Sequence, residues 1–120
     1  MVEEAYCSFE VARLLKEKGF NEPTWTRYED DNEVIFGNKY DWNKSPMGQT
    51  SAPTHQMAIA WILEKYNVSI EVSVLKHNCW CYTIYKILSN KVEELYNDGI
   101  FESHYKCTDK ALKYSLENLI

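Results

Sequence analysis

The alternation of apolar and polar positions is clearest from Ser51 to Ile87, SAPTHQMAIAWILEKYNVSIEVSVLKHNCWCYTIYKI. Met57, Ala58, Trp61 and Ile62 recur at three- and four-residue spacing, the apolar stripe of an amphipathic helix. Pro53 disfavours helix for Ala52, and Thr54 follows as an N-cap whose hydroxyl satisfies an orphan N–H. Asn67 suits a left-handed exit. Val68, Ile70, Val72 and Val74 then alternate with Ser69, Glu71 and Ser73, a period of two that predicts a strand. His77 and Asn78 mark a turn, and Trp80 to Ile87 form the return strand.

The register of this hairpin decides which side chains are core, because a slip of one residue inverts a strand. A loop of two or four residues puts Cys81, Thr83 and Tyr85 on the face of Ile70 and Val72. A three-residue loop puts Trp80, Tyr82 and Ile84 there. The second register is favoured, since it gathers three large bodies with the valines and leaves Tyr85 and Ile87 outside.

Before this stretch, Ser8 reads as the N-cap of a helix with Phe9, Val11, Ala12, Leu14 and Leu15 on its apolar side. Gly19 ends it, and Phe20 folds back. Trp25–Tyr28 and Glu33–Phe36 are short strand candidates around an acidic turn at Glu29, Asp30, Asp31 and Asn32. From Gly37 to Ala52 no period is found, which predicts a long loop. After Ile87, Ser89-Asn90 starts a short helix through Val92, Leu95 and Tyr96, ended by Asn97-Asp98-Gly99. A last helix begins near Ser103, with Tyr105, Thr108, Ala111, Leu112, Ser115 and Leu119 on one side.

The element order is therefore αββαββ(α)α. It predicts one α+β domain over residues 1–120: an antiparallel sheet of about four short strands with helices on one face. Ser8–Phe36 and Thr54–Ile87 both read as cap, helix, exit and two strands, a similarity of architecture rather than of residues.

The chain has 120 residues, 45% of them hydrophobic and 14% aromatic, the composition of a folded domain. No apolar run approaches a membrane span, and MVEEAYCSFE does not read as a signal peptide, so a cytoplasmic protein is expected. Cys7, Cys79, Cys81 and Cys107 are then expected to be thiols. The formal net charge of −5 lacks the basic footprint of nucleic-acid binding. A basic face needs Lys86, Lys91, Lys106, Lys110 and Lys113 to converge.

Candidate chemistry centres on His77-Asn-Cys79-Trp-Cys81 together with His104 and Cys107. Cysteines two apart on a strand share a face, as do a His and a Cys three apart on a helix. With that helix on the outer sheet face, Cys79, Cys81, His104 and Cys107 assemble a thiolate–imidazole metal site. The spacing is neither C-x-x-C nor H-x-x-x-H, and ordinary strand and helix cysteines are the simpler reading. His55 reads as a surface or capping-region histidine, and the acidic turn as solvated. The four glycines are scattered, with no phosphate loop and no G-x-S-x-G elbow, so neither an enzyme nor a cofactor is expected. The stronger candidate is a surface. Tyr40, Trp42 and Met47 lie in the predicted loop, and such residues are enriched at interfaces. The simpler reading is that the loop folds back and these side chains plug the sheet edge or core.

Four segments carry a resemblance: Leu14–Phe20 (LLKEKGF), Ala52–Trp61 (APT, then W after six residues), Ile70–Val72 (I-x-V) and Ala111–Ile120 (A-L-x-x-x-L-x-x-L-I). In these the chain resembles short proteins found in prophages and other mobile elements of gut bacteria. The resemblance implies a bacterial or phage cytosolic setting and an α+β domain, and brings no catalytic or ligand residues with it. Taken together, the expectation is a small non-enzymatic accessory or binding protein acting through a protein surface, with a protein partner or self-association.

Overall fold

The computed structural model describes residues 4–30 and 33–120. Asp31 and Asn32 of the acidic turn lie outside these. Among the described residues there are three α-helices and two three-stranded antiparallel sheets. The chain divides into two compact units, one up to Ala58 and one from Ile59.

In the first unit, helix α1 (Phe9–Glu17) is capped at both ends by its own sequence. Ser8 Oγ accepts from Val11 N–H at 3.2 Å. Gly19 takes φ +90°, and the N–H groups of Gly19 and Phe20 return to the carbonyls of Lys16 (3.1 Å) and Leu15 (2.9 Å). This double closure needs a left-handed residue, which glycine supplies without Cβ strain. It swings Phe20 into the interior beside the buried stripe of Val11, Ala12 and Leu15.

Strands β1 (Thr24–Tyr28), β2 (Ile35–Tyr40) and β3 (Thr50–Ser51) pair in the order β2-β1-β3. Tyr28, Ala12 and Ala52 form a core cluster with Phe9 and Val34 against it. Phe9 meets Tyr28 edge-on, and Tyr28 Oη donates to Cys7 O at 2.7 Å, so the phenol is buried without an orphaned hydroxyl.

The expected loop from Gly37 to Ala52 is more ordered than its aperiodic sequence suggests. The second strand continues to Tyr40, a 3-10 turn follows at Trp42–Lys44, and β3 closes the sheet. Polar side chains bonding to backbone supply the order. Asn43 Nδ2 donates to Phe20 O and its Oδ1 accepts from Ser51 N–H, at 2.9 and 2.8 Å. Such contacts leave no hydrophobic period to read.

Helix α2 (His55–Tyr66) starts as expected, with Thr54 Oγ1 accepting from Met57 N–H at 3.1 Å. Ala58, Trp61 and Ile62 are buried, whereas Met57 is exposed. Asn67 makes the exit with φ +57°. In the second unit β4 (Val68–Lys76), β5 (Cys79–Ile87) and β6 (Val92–Phe101) form a meander in sequence order. Ile70 faces Ile84, Val72 faces Tyr82 and Val74 faces Trp80, which is the favoured sidedness. A two-residue turn at His77-Asn78, with φ +55° at Asn78, and a bulge at Leu75 produce it together.

The segment expected as a short helix from Val92 to Tyr96 is instead strand β6. The main chain turns back between Leu88 and Lys91 (Leu88 N–H to Lys91 O, 2.9 Å), which delivers Val92 opposite Ile87. Pairing along β5 outweighs the helical preference of Glu93-Glu94-Leu95. The expected single sheet of about four strands is thereby corrected to two sheets. Each predicted strand pair acquires a third strand, β3 from the supposed loop and β6 from the supposed helix.

Helix α3 (His104–Asn118) is capped by Ser103 Oγ and lies against all three strands of this sheet. Cys107, Thr108, Ala111, Leu112, Ser115 and Leu116 are buried, while Tyr105, expected on the apolar side, is exposed. The helix covers the aromatic face. His104 meets Trp80 edge-on at 5.0 Å, and Tyr114 stacks on Tyr96 at 3.8 Å. Tyr82 lies beneath, fully buried, between Tyr96 and Phe101.

Candidate functional site

The three loop residues meet different fates. Tyr40 sits on β2 and is 47% exposed. Met47 is 81% exposed at the tip of a turn closed by Gly48 N–H to Ser45 O. Trp42 folds back, as the simpler reading has it. Its Nε1 donates to Thr24 O at 2.9 Å, and the Arg27 guanidinium lies 4.5 Å over its ring. Tyr40 stands edge-on to Trp42 at 5.1 Å.

Arg27 is fixed in turn by Glu29, whose carboxylate also accepts from Gln49 Nε2. Hydrogen bonds from Gln49 and Arg27 hold the Glu29 carboxyl below its ordinary range. Lys16 Nζ donates to Gln49 O and Ser45 Oγ to Gln49 Oε1, so the turn carrying Met47 is tied to α1. Of the acidic turn, Glu29 is thus a structural anion rather than a freely solvated one.

Sequence reasoning missed the cleft beside these residues. It has a volume of about 230 Å³ and includes Tyr6, Thr24, Trp25, Lys39 and Met57 in its lining, with Glu4 at its rim. Trp25 is 61% exposed because β1 turns its threonines inward. Thr24 Oγ1 donates to Thr26 O and Thr26 Oγ1 to Ala52 O, which makes their burial affordable and leaves the indole outside. The T-W-T-R-Y alternation held this signal for a reader willing to bury threonine instead of tryptophan. Tyr6 Oη donates to Glu4 at 2.8 Å, and its pKa is raised by burial and by that carboxylate. Phe36, 68% exposed, packs edge-on to Tyr6.

The cysteine–histidine set is not assembled into a ligand shell. Among the described residues no group of three or more His, Cys, Asp or Glu side chains is placed to hold a metal ion. The reason is sidedness. The expectation needs the last helix on the outer face of β5, but α3 covers the Trp80, Tyr82 and Ile84 face, which puts Cys107 and Cys81 on opposite sides of the strand. Cys79 is buried by the turn, and His104 is exposed against Trp80. Burial, then charge interactions with Cys81 and Asp98, pushes the Cys107 thiol up to about 11. This is the opposite of what a metal ligand or nucleophile requires. Burial likewise raises the Tyr82 phenol well above its usual value.

His55, expected at the surface or in the capping region, is the first residue of α2 and is buried, its backbone N–H bonded to Ala5 O at 2.7 Å. Of the five lysines that would have to converge, Lys86 donates to Tyr66 O and Lys106 pairs with Glu102. No helix among the described residues is long and apolar enough to cross a membrane. No protein-family model, curated protein or solved structure matches this chain.

Proposed function

We propose that this chain is a small cytoplasmic accessory protein of a phage or mobile element that binds a protein partner through the aromatic surface of its first unit. The observation that carries this reading is the exposure of three large rings on one strand pair, Trp25, Phe36 and Tyr40. Large exposed apolar side chains are the usual material of an interface core, and one of the three, Trp25, lines the cleft. Two rings are presented on fixed supports, Phe36 against Tyr6 and Tyr40 against Trp42. A pre-positioned aromatic loses little conformational freedom on binding, which suits a hot spot. The cleft adds two donors, the Trp25 indole N–H and the Lys39 ammonium, and one carboxylate, Glu4.

The test is recovery of partners from the native host with wild-type protein and with a Trp25→Ala/Tyr40→Ala variant. The recovered partner is then purified and titrated calorimetrically. A loss of at least ~10-fold in affinity is expected for two hot-spot rings. Equal binding by both proteins overturns the reading.

A further inference from the structure

The two sheets present four edge strands, and they are protected unequally. β3 is two residues long, and β2 is broken by a bulge opposite β1. β6 carries two bulges, at Leu95 and at Ile100, and three carboxylates, Glu93, Glu94 and Asp98. Shortness, bulges and charge are the devices that keep an edge from pairing. β4 lacks them over most of its length. Val68 to Val74 runs without interruption against β5, contains no proline and bears one charge, Glu71.

The free hydrogen-bonding groups of β4 can be identified. Ile87 N–H donates to Asn67 O at 2.8 Å, so Asn67 directs its carbonyl toward β5. Alternate residues of a strand direct these groups to opposite edges, so Ser69, Glu71 and Ser73 also bond β5. Val68, Ile70, Val72 and Val74 then point their N–H and C=O groups away from β5; Val68, 1% exposed, is covered, and Ile70, Val72 and Val74 form the edge used below. Among the described residues no backbone bond from another strand reaches them.

We infer that β4 pairs with β4 of a second copy of this chain, antiparallel about a two-fold axis at Val72. In that register Val72 faces Val72 and Ile70 faces Val74 of the second copy, and six N–H···O bonds close between outward groups. Glu71 faces Ser73 of the second copy, so the one charge on the edge never meets its own kind. A register centred on Glu71 would oppose two carboxylates. Val74, 58% exposed in the single chain, gains a branched neighbour. The two sheets become one of six strands with both copies of α3 on the same face. A contact of this length is smaller than a standard stable interface, so the pairing is weak, with Kd on the order of 100 µM.

Sedimentation equilibrium of the full chain from roughly 5 µM to 1 mM tests this. A monomer–dimer equilibrium is expected. Val72→Pro removes an outward N–H while sparing the bonds to β5, and should weaken the dimer by at least ~10-fold. Ser73→Lys sets a cation against Glu71 of the second copy and should tighten it roughly 3- to 10-fold, while Ser73→Glu should weaken it to a similar extent. Circular dichroism melts establish that each variant is folded. The exposed Ser73 variants carry the test if the proline variant is not. A monomer at every concentration overturns the inference, whatever else the edge binds. So does a dimer in which the two Ser73 variants shift the equilibrium in the same direction.

Discussion

The two units of this chain reach ordered sheets by different means. In the second, long strands alternate and one helix covers the apolar face. Val68, Ile70, Tyr82, Ile84, Ala111, Leu112 and Leu116 are all buried. In the first, the strands are short or bulged, and polar side chains bonding to backbone take over. Thr24, Thr26, Tyr28, Trp42 and Asn43 each close a bond to a main-chain atom. The contrast teaches that burial writes a period into the sequence and side-chain hydrogen bonding does not.

Each mode has its own way of failing. The largest effect is expected for Leu112→Ala on α3. Leu112 has no exposed surface, and the truncation should cost about 2–5 kcal/mol, read from denaturant midpoints.

Alkaline pH should come next. The folded-state pKa of Cys107 is raised, so the native protein holds its proton while the unfolded chain releases it. Stability is therefore unaffected below about pH 8 and falls as pH rises toward 11. The loss should reach about 2 kcal/mol, with Tyr82 acting in the same direction beyond it. Thermal melts from pH 7 to 11 check this, and Cys107→Ala should flatten the slope.

The smallest is Asn43→Ala, which breaks the bonds to Phe20 O and Ser51 N–H in the first unit. A cost of about 1–2 kcal/mol is expected, with faster amide exchange across residues 41–52 and unchanged protection in β4–β6. Faster exchange in both units would dissolve the contrast drawn above.

Legibility in the sequence follows the same division. The caps at Ser8, Thr54 and Ser103, the exits at Gly19 and Asn67, and the sidedness of the hairpin all follow from local chemistry and period. Strand β6 was hidden because Glu93, Glu94 and Leu95 favour helix as well as they tolerate an edge, and only pairing with β5 decides between them. β3 was hidden because two residues carry no period. Of the surface residues, Tyr40 and Met47 were legible as aromatic and sulfur side chains in polar company. The folding back of Trp42 depends on Arg27 and Thr24, far off in sequence. Trp25 was concealed by the assumption that a tryptophan outranks a threonine for the interior.

The bulge at Leu75 has a consequence for tolerance to length change. It is an extra residue in a ladder whose partners on either side, Val74 with Trp80 and Lys76 with Cys79, are already adjacent on β5. A gene one codon shorter at that point would still deliver Trp80, Tyr82 and Ile84 to the helix.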